Sequence, residues 1–214
     1  MNKLPQLHDQ LYSYDNVIVC VTETFLHSGI SNGLLDPKHL YTIIRKDRSS
    51  GKGGGVCRFV NQNILICQLP LPEIYADLEM LCFDIVNLVP PCRYFLVYRP
   101  PYSDECAVQY MRSLVECLEL LTVSKHINVV VGDFDLPKIN WATFSCPDNF
   151  IHKPFLDFTV DNGFSQFVQF VTNNKNRPIL DLVLSDYYDR YVISQKSHHL
   201  GIVISVAFLC CPHK

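Results

Sequence analysis

The segment 129–141, VVVGDFDLPKINW, constrains this chain more than any other part of its sequence. Its β-branched residues are typical of a buried strand, and two carboxylates follow at once. Because side chains alternate along a strand, Asp133 and Asp135 point the same way if the extended run continues through Gly132. Gly132 would let a ligand approach the backbone, and Pro137 would end the strand pairing. The pattern predicts a site for a metal ion or a phosphate group; the alternative is a plain turn in which Asp caps local amides.

Composition limits the fold and the partners. With 214 residues, 48% of them hydrophobic, the chain can bury one substantial core, and a single domain over residues 1–214 is expected. The formal net charge is −3, so nucleic-acid binding would need a local basic patch. The ten cysteines include no C-x-x-C pair. We interpret them as reduced core residues of an intracellular protein, in the nucleus or cytoplasm, that lacks a secretory leader and is not bound to a membrane.

Hydrophobic periodicity predicts many strands and few helices. Leu4, Leu7 and Leu11 suggest a short first helix, and apolar residues at helical spacing predict helices over residues 108–121 and from residue 155 to residue 162. Mixed elements without a repeat predict an α/β sandwich of two packed sheets with helices outside. Strands are predicted at residues 17–21, 41–45, 55–60, 64–68, 78–86, 94–98, 127–131, 179–184 and 202–208.

Two further blocks carry side chains suited to phosphate chemistry. VCVTETFL places Glu23 at the end of a buried strand, although a solvated Glu is the simpler interpretation of that residue alone. LVYRPPY ends a strand with Tyr98 and Arg99, whose hydroxyl and guanidinium groups can both hold phosphate oxygens. A tyrosine at such a position more often packs its ring into the core.

The remaining blocks are a basic loop and a pair of C-terminal motifs. The loop RKDRSSGKGGGV predicts a flexible hairpin tip whose cations could contact a phosphate backbone. ILDLVLS places Asp181 on a strand, and SHHL places two histidines before the last strand, without the spacing of a zinc motif. The cations of the loop are Arg45, Lys46, Arg48 and Lys52.

The order of these blocks, TET, glycine-rich hairpin, YRPP, GDF, LDLVL and S-x-H, resembles the endonuclease/exonuclease/phosphatase superfamily. It is most similar to the apurinic/apyrimidinic-type endonuclease domain of non-LTR, jockey-like retrotransposon polyproteins. The resemblance runs from about Asn2 to Phe208. It implies a four-layer α/β/β/α sandwich of two mixed sheets, and DNA as the substrate.

The resemblance also implies a role for each matched residue. Glu23 would be the principal ligand of Mg²⁺ or Mn²⁺, which prefer hard oxygen ligands. Tyr98 would hold the scissile phosphate, and Asp133 would orient or deprotonate the attacking water. Asp181 would position the metal or phosphate, and His199 would stabilise charge on the phosphoryl oxygens.

Three features depart from the family pattern. The family has Asn at the position of Asp135, and a carboxylate about 4 Å from a phosphate oxygen would cost on the order of 1 to 4 kcal/mol. The family's S-D-H reads Ser197, His198 and His199 here, so an imidazole replaces the carboxylate that would orient His199. The family's first strand, which carries an Asn beside the metal site, lies upstream of the matched segment. We therefore expect a domain truncated at its N-terminus, with a strand left unpaired beside the site.

Two functions from different classes stay open. The first is a metal-dependent DNA-nicking endonuclease with reduced activity, whose parent polyprotein would also carry a reverse transcriptase. The second is a catalytically dead domain fragment that retains only weak DNA or protein binding. A phosphoinositide or sphingolipid phosphodiesterase is a third possibility, which the YRPP and LDLVL motifs disfavour.

Overall fold

The computed structural model describes residues 4–12, 17–48, 53–123, 125–168, 179–187, 191–196 and 203–208. Its helices are α1 (Leu4–Tyr12), α2 (Asn32–Leu35), α3 (Asp104–Leu121) and α4 (His152–Asp161), with a 3-10 turn at Glu73–Tyr75. Its strands are β1 (Val17–Thr22), β2 (Tyr41–Lys46), β3 (Val56–Asn61), β4 (Ile66–Leu69), β5 (Met80–Ile85), β6 (Cys92–Tyr98), β7 (Ile127–Asp133), β8 (Ser165–Gln166), β9 (Asp181–Ser185), β10 (Tyr191–Lys196) and β11 (Val203–Phe208).

Each predicted strand and helix has a counterpart among these elements, with shifts of a few residues at the ends. Sequence reasoning missed α2, β8 and β10. The first is a single turn and the second has two residues, so neither is long enough to show a hydrophobic period.

The strands form two sheets. The first has the order β10-β11-β1-β3-β2, with antiparallel neighbours throughout. The second has the order β4-β5-β6-β7-β9-β8, in which β6 and β7 are parallel and the other pairs antiparallel. Parallel neighbours need a crossover connection, and α3 provides it between β6 and β7.

Strand alternation sorts the core into layers. In β1, Ile18 and Cys20 lie in the core between the sheets, whereas Val19 and Val21 lie in a second core that also contains Leu11 of α1. A third core lies on the far side of the second sheet, where β6 packs with α3 and α4. Three cores separate four layers, so the predicted α/β/β/α sandwich is confirmed.

The strand that precedes Glu23 is hydrogen-bonded along both edges. β1 pairs with β3 on one side and with β11 on the other. The expectation of an unpaired strand beside the site is therefore wrong for the part of the chain that is described, because β11 supplies the missing backbone partners.

The prediction that the cysteines are reduced core residues is confirmed for five of them. Cys20, Cys57, Cys82, Cys92 and Cys117 are buried free thiols, as expected of reduced core residues. Cys67 and Cys106 are exposed, and Cys146 is half-buried, so the core assignment is wrong for these three. A free cysteine behaves as a small hydrophobic residue, and single hydrophobic residues on a protein surface are common. Of the helices described here, none is long and apolar enough to cross a membrane.

Arg58 is buried in the middle of the sandwich. It lies on β3, is fully shielded from solvent, and its guanidinium stacks 3.9 Å from the ring centroid of Phe83. Within the described residues, its three side-chain nitrogens have no hydrogen-bond partner. Burial lowers its pKa to about 10, which still leaves it charged at neutral pH.

Candidate active site

Three of the predicted site residues lie side by side at one end of the second sheet. Tyr98 of β6 is the register partner of Asp133 of β7, which in turn pairs with Asp181 of β9. Directly paired residues share a face of the sheet. That face is the one toward the first sheet, because Val131 and Val183, two residues away, both lie in the core between the sheets. Tertiary pairing thus brings together residues that are far apart in sequence.

Glu23 follows a strand of the first sheet and contacts this end of the second sheet. The Tyr98 hydroxyl donates a hydrogen bond of 2.9 Å to Glu23 Oε1. Burial raises the pKa of Tyr98, and the hydrogen bond and charge of Glu23 raise it further, so the phenol stays protonated and donates at neutral pH. Glu23 itself has a φ of +49°, a backbone strain of the kind that persists where surrounding contacts impose it.

Asp133 is a carboxylate of the site whose pKa lies well above the usual value. Burial raises its pKa, the charges of Asp181 and Glu23 raise it further, and it reaches about 7. The Asp135 N–H opposes this by donating a hydrogen bond of 3.2 Å to Asp133 Oδ1. Negative charge thus accumulates here, and Asp133 can hold or release a proton near neutral pH.

Gly132 is required for a reason other than ligand access. Its φ is +151°, and a Cβ there would lie 1.8 Å from the Val97 carbonyl oxygen on the neighbouring strand. The close approach is therefore between two strands, and the expectation that a ligand makes it is wrong. A side chain at this position would separate β6 from β7 just before Tyr98 and Asp133.

Asp135 does not continue the strand. β7 ends at Asp133, before Pro137, and Asp135 has a left-handed φ of +44°. The extended run that would align its side chain with Asp133 is absent, and Pro137 is not what ends the pairing. Asp135 Oδ2 lies 3.9 Å from Arg99 Nη1, which also donates to the Asp135 carbonyl at 3.3 Å. Arg99 is buried and holds this loop in place.

The predicted basic loop is largely occupied with internal contacts. Arg45 lies 3.1 Å from Asp47, and Arg48 Nε donates to Glu79 Oε1 at 2.8 Å. Lys46 donates to backbone carbonyls, including that of Leu78 at 2.6 Å. These cations connect the loop to the protein, and their predicted contact with a phosphate backbone stays a prediction.

Part of the predicted site lies outside the described residues. These positions are Ser197, His198, His199 and Lys52. Their predicted roles therefore stay predictions.

Sequence reasoning missed two residues that support the site, Glu79 and Tyr110. Glu79 N–H donates to the Tyr110 hydroxyl at 3.1 Å, and that hydroxyl donates to the Tyr98 carbonyl at 2.9 Å. A signal was available for Glu79, because a carboxylate inside the apolar run 78–86 is rarely buried without a partner.

The donor set fits a hard divalent cation held by few protein ligands. Among the described residues, no group of three or more His, Cys, Asp and Glu side chains is arranged to hold a metal ion. Mg²⁺ keeps several waters and commonly binds through one or two carboxylates. Glu23 supplies such a carboxylate, and Asp133 and Asp181 lie next to each other on the facing sheet, where a cation would offset their negative charge.

The solved structures that this chain resembles share its fold. No family model and no curated protein sequence matches the chain. A 3'-5' exonuclease from Neisseria meningitidis has a TM-score of 0.65 at 13% identity, covering 96% of this chain and 94% of the other. The endonuclease domain of TRAS1, a telomere-specific non-LTR retrotransposon, has 0.63 at 10%, with 96% and 92% covered.

An AP endonuclease from Archaeoglobus fulgidus is equally similar, with a TM-score of 0.63 at 13% identity and coverage of 96% of this chain and 92% of the other. Such identities relate folds and not activities. The two-sheet sandwich and these neighbours show that the chain has the fold of the endonuclease/exonuclease/phosphatase superfamily.

Proposed function

We propose that this domain is a metal-dependent phosphodiesterase that hydrolyses phosphodiester bonds of the DNA backbone. The observation that carries the proposal is the Tyr98–Glu23 hydrogen bond beside the adjacent carboxylates Asp133 and Asp181. The three structural neighbours above are named as an exonuclease and two endonucleases, which supports DNA as the substrate class.

Glu23 is the residue that would hold the cation, Mg²⁺ or Mn²⁺. When bound, the cation supplies positive charge that stabilises negative charge developing on the phosphoryl oxygens. Asp181 is paired with Asp133 and would position the metal or the phosphate. Tyr98 donates a hydrogen bond to Glu23 and would so hold the carboxylate proposed to bind the metal in one orientation.

Asp133 is suited to receive the proton of the attacking water. Its anionic form is required for this step, and its raised pKa makes that anion a stronger base than an ordinary aspartate. The water oxygen forms a bond to phosphorus as the bond to the leaving oxygen breaks, so no covalent enzyme intermediate forms. His199 is proposed to donate to the charged oxygens, as the sequence motif predicts.

The dead-domain alternative rests on a specific observation. Asp135 brings a carboxylate to the loop where the family pattern has an amide, and Arg99 lies 3.9 Å away, close enough to offset only part of its charge. His198 replaces the carboxylate expected beside His199. Under this alternative the sandwich retains only weak DNA or protein binding.

Supercoiled-plasmid nicking tests the proposal. The natural chain should nick in Mg²⁺ and not in EDTA, and Glu23→Gln should lose the activity. The matched control is Glu119→Gln, an exposed carboxylate on α3. Nicking by Glu23→Gln at the natural rate would contradict the proposal.

A repaired variant separates the two functions. If Asp135→Asn with His198→Asp nicks and the natural chain does not, the dead-domain alternative holds with an intact scaffold. Release of phosphate from inositol phosphates, or of phosphocholine from sphingomyelin, without plasmid nicking would instead indicate a lipid-type phosphodiesterase.

A further inference from the structure

Glu79 is a buried carboxylate placed just before β5, and its first set of contacts leads to Glu23. Glu79 Oε2 accepts a hydrogen bond from the Gly55 N–H. The Gly55 carbonyl in turn accepts from the Thr24 N–H at 3.3 Å, and the Gly54 carbonyl accepts from the Phe25 N–H at 3.1 Å. The two residues that follow Glu23 are therefore hydrogen-bonded to a glycine segment that Glu79 holds.

The second set of contacts leads to Tyr98. The Glu79 carbonyl accepts from the Tyr98 N–H at 2.9 Å, while the Glu79 N–H donates to the Tyr110 hydroxyl. That hydroxyl donates to the Tyr98 carbonyl at 2.9 Å. The backbone of Tyr98 is thus held at both its N–H and its C=O by a unit that begins at Glu79.

Arg48 closes the arrangement. Its Nε and Nη2 both donate to Glu79 Oε1, and its guanidinium carbon lies 5.8 Å from the ring centroid of Tyr98. The space beside Gly54 is taken by this guanidinium, since a Cβ there would lie 2.5 Å from it. One ion pair therefore packs against the glycine segment and against the tyrosine ring at once.

We propose that Glu79, held by Arg48, is a positioning residue that sets the hydrogen bond between Tyr98 and Glu23. This inference rests on the proposed function for its consequence, because that hydrogen bond orients the carboxylate expected to hold the metal. Its structural content is independent of catalysis. Loss of the Glu79 charge would release the Glu23 turn and the Tyr98 ring from a common anchor.

The molecule offers a matched control at the other end of the second sheet. Arg93 Nε donates to Asp84 Oδ1 at 2.7 Å and Arg93 Nη2 donates to Asp84 Oδ2 at 2.8 Å. Like Glu79, Asp84 is a buried carboxylate on the β5 segment that binds one arginine through two nitrogens. Glu79→Gln and Asp84→Asn therefore remove the same kind of interaction, and only the first touches the site.

The experiment measures the Tyr98 phenol directly. The full chain is labelled with ¹³Cζ-tyrosine, the Tyr98 resonance is assigned with Tyr98→Phe, and the spectra are recorded without metal. We expect Glu79→Gln and the milder Arg48→Gln to shift the Tyr98 resonance, and Asp84→Asn to leave it in place while lowering the melting temperature. An unmoved Tyr98 resonance in both Glu79→Gln and Arg48→Gln would overturn the proposal, and so would an equal shift in Asp84→Asn.

Metal binding supplies a second measurement that does not require turnover. Tb³⁺ luminescence excited through tyrosine reports cation binding, with Glu23→Gln as the negative control. We expect about tenfold weaker Tb³⁺ binding in Glu79→Gln and less than about twofold in Asp84→Asn, a tenfold change being about 1.4 kcal/mol. Equal losses in both variants would overturn the positioning role. A natural chain that shows the Tyr98 shift but neither binds Tb³⁺ nor nicks DNA would refute the proposed function and leave the positioning of Tyr98 in place.

Discussion

The two ends of the second sheet differ in the partners of their carboxylates. At the end where β6 and β7 begin, Asp84 is paired with Arg93, and Asp186 accepts hydrogen bonds from the Asn128 backbone N–H at 2.8 Å and from its Nδ2 at 2.7 Å. At the end where they finish, Asp133 lies beside Asp181 with Glu23 nearby; burial raises the pKa of Asp133, and these like charges raise it further.

The difference shows at which end of the sheet carboxylates are grouped with one another. A carboxylate with cationic and amide donors stabilises a sheet end, whereas carboxylates grouped together repel one another until a proton or a cation joins them. The same strands thus have one end whose carboxylates are paired within the fold and one end where a bound cation would offset the negative charge. Each prediction below changes one end and asks whether the other responds.

The largest effect is expected at the crowded end. Asp133→Asn removes the proposed proton acceptor and should lower the nicking rate about 10²- to 10⁴-fold. Initial rates of plasmid nicking in Mg²⁺ measure it. Glu119→Gln serves as the control, and a rate within about twofold of the natural chain in Asp133→Asn would assign the base role elsewhere.

The paired end should respond in stability and not in activity. Asp84→Asn leaves the buried Arg93 without its anion and is expected to lower the free energy of unfolding by about 3 to 5 kcal/mol. Urea unfolding checks the loss. Nicking measured well below the melting temperature should be unchanged; a parallel loss of activity would show that the two ends are coupled.

The crowded end should also make stability depend on pH. In the metal-free protein the pKa of Asp133 is raised from 3.8 to about 7, so its stabilising contribution is complete below pH 3.8 and is lost as the pH rises to about 7. Because the carboxylate is partly exposed, we expect a loss of about 2 to 4 kcal/mol across this window.

Urea unfolding in EDTA at several pH values measures that loss. Asp133→Asn should flatten this part of the curve and be the more stable protein at about pH 8. Curves of equal slope for the two proteins would refute the assignment of the titration to Asp133.

The smallest effect concerns a buried arginine that lies at neither end. Arg58 and Arg93 are both buried, but Arg58 has no hydrogen-bond partner among the described residues, so Arg58→Leu should raise the free energy of unfolding by about 1 to 3 kcal/mol. Arg93→Leu, the matched substitution of a paired arginine, should lower it. Destabilisation by both variants would indicate that Arg58 has a partner outside the described residues.

Much of the site could be predicted from local patterns. Buried runs identified nine of the eleven described strands. Glu23, Tyr98 and Asp133 followed from where a run stops, whereas the ILDLVLS pattern places Asp181 on a strand. Local pattern could not show that Arg48 and Lys46 turn inward, since a basic glycine-rich hairpin looks the same whether its cations face solvent or a buried glutamate.

By itself, the sequence determined the identity and order of nine of the eleven described strands and the polar groups that follow several of them, because alternation and turn chemistry act over a few residues. Only the tertiary structure decided which strand ends meet, that Gly132 is required by Val97, and that Asp135 turns away in a left-handed conformation. Glu79 became part of the site in the same way. These features depend on register and on contacts between residues distant in the chain, which no local window of sequence contains.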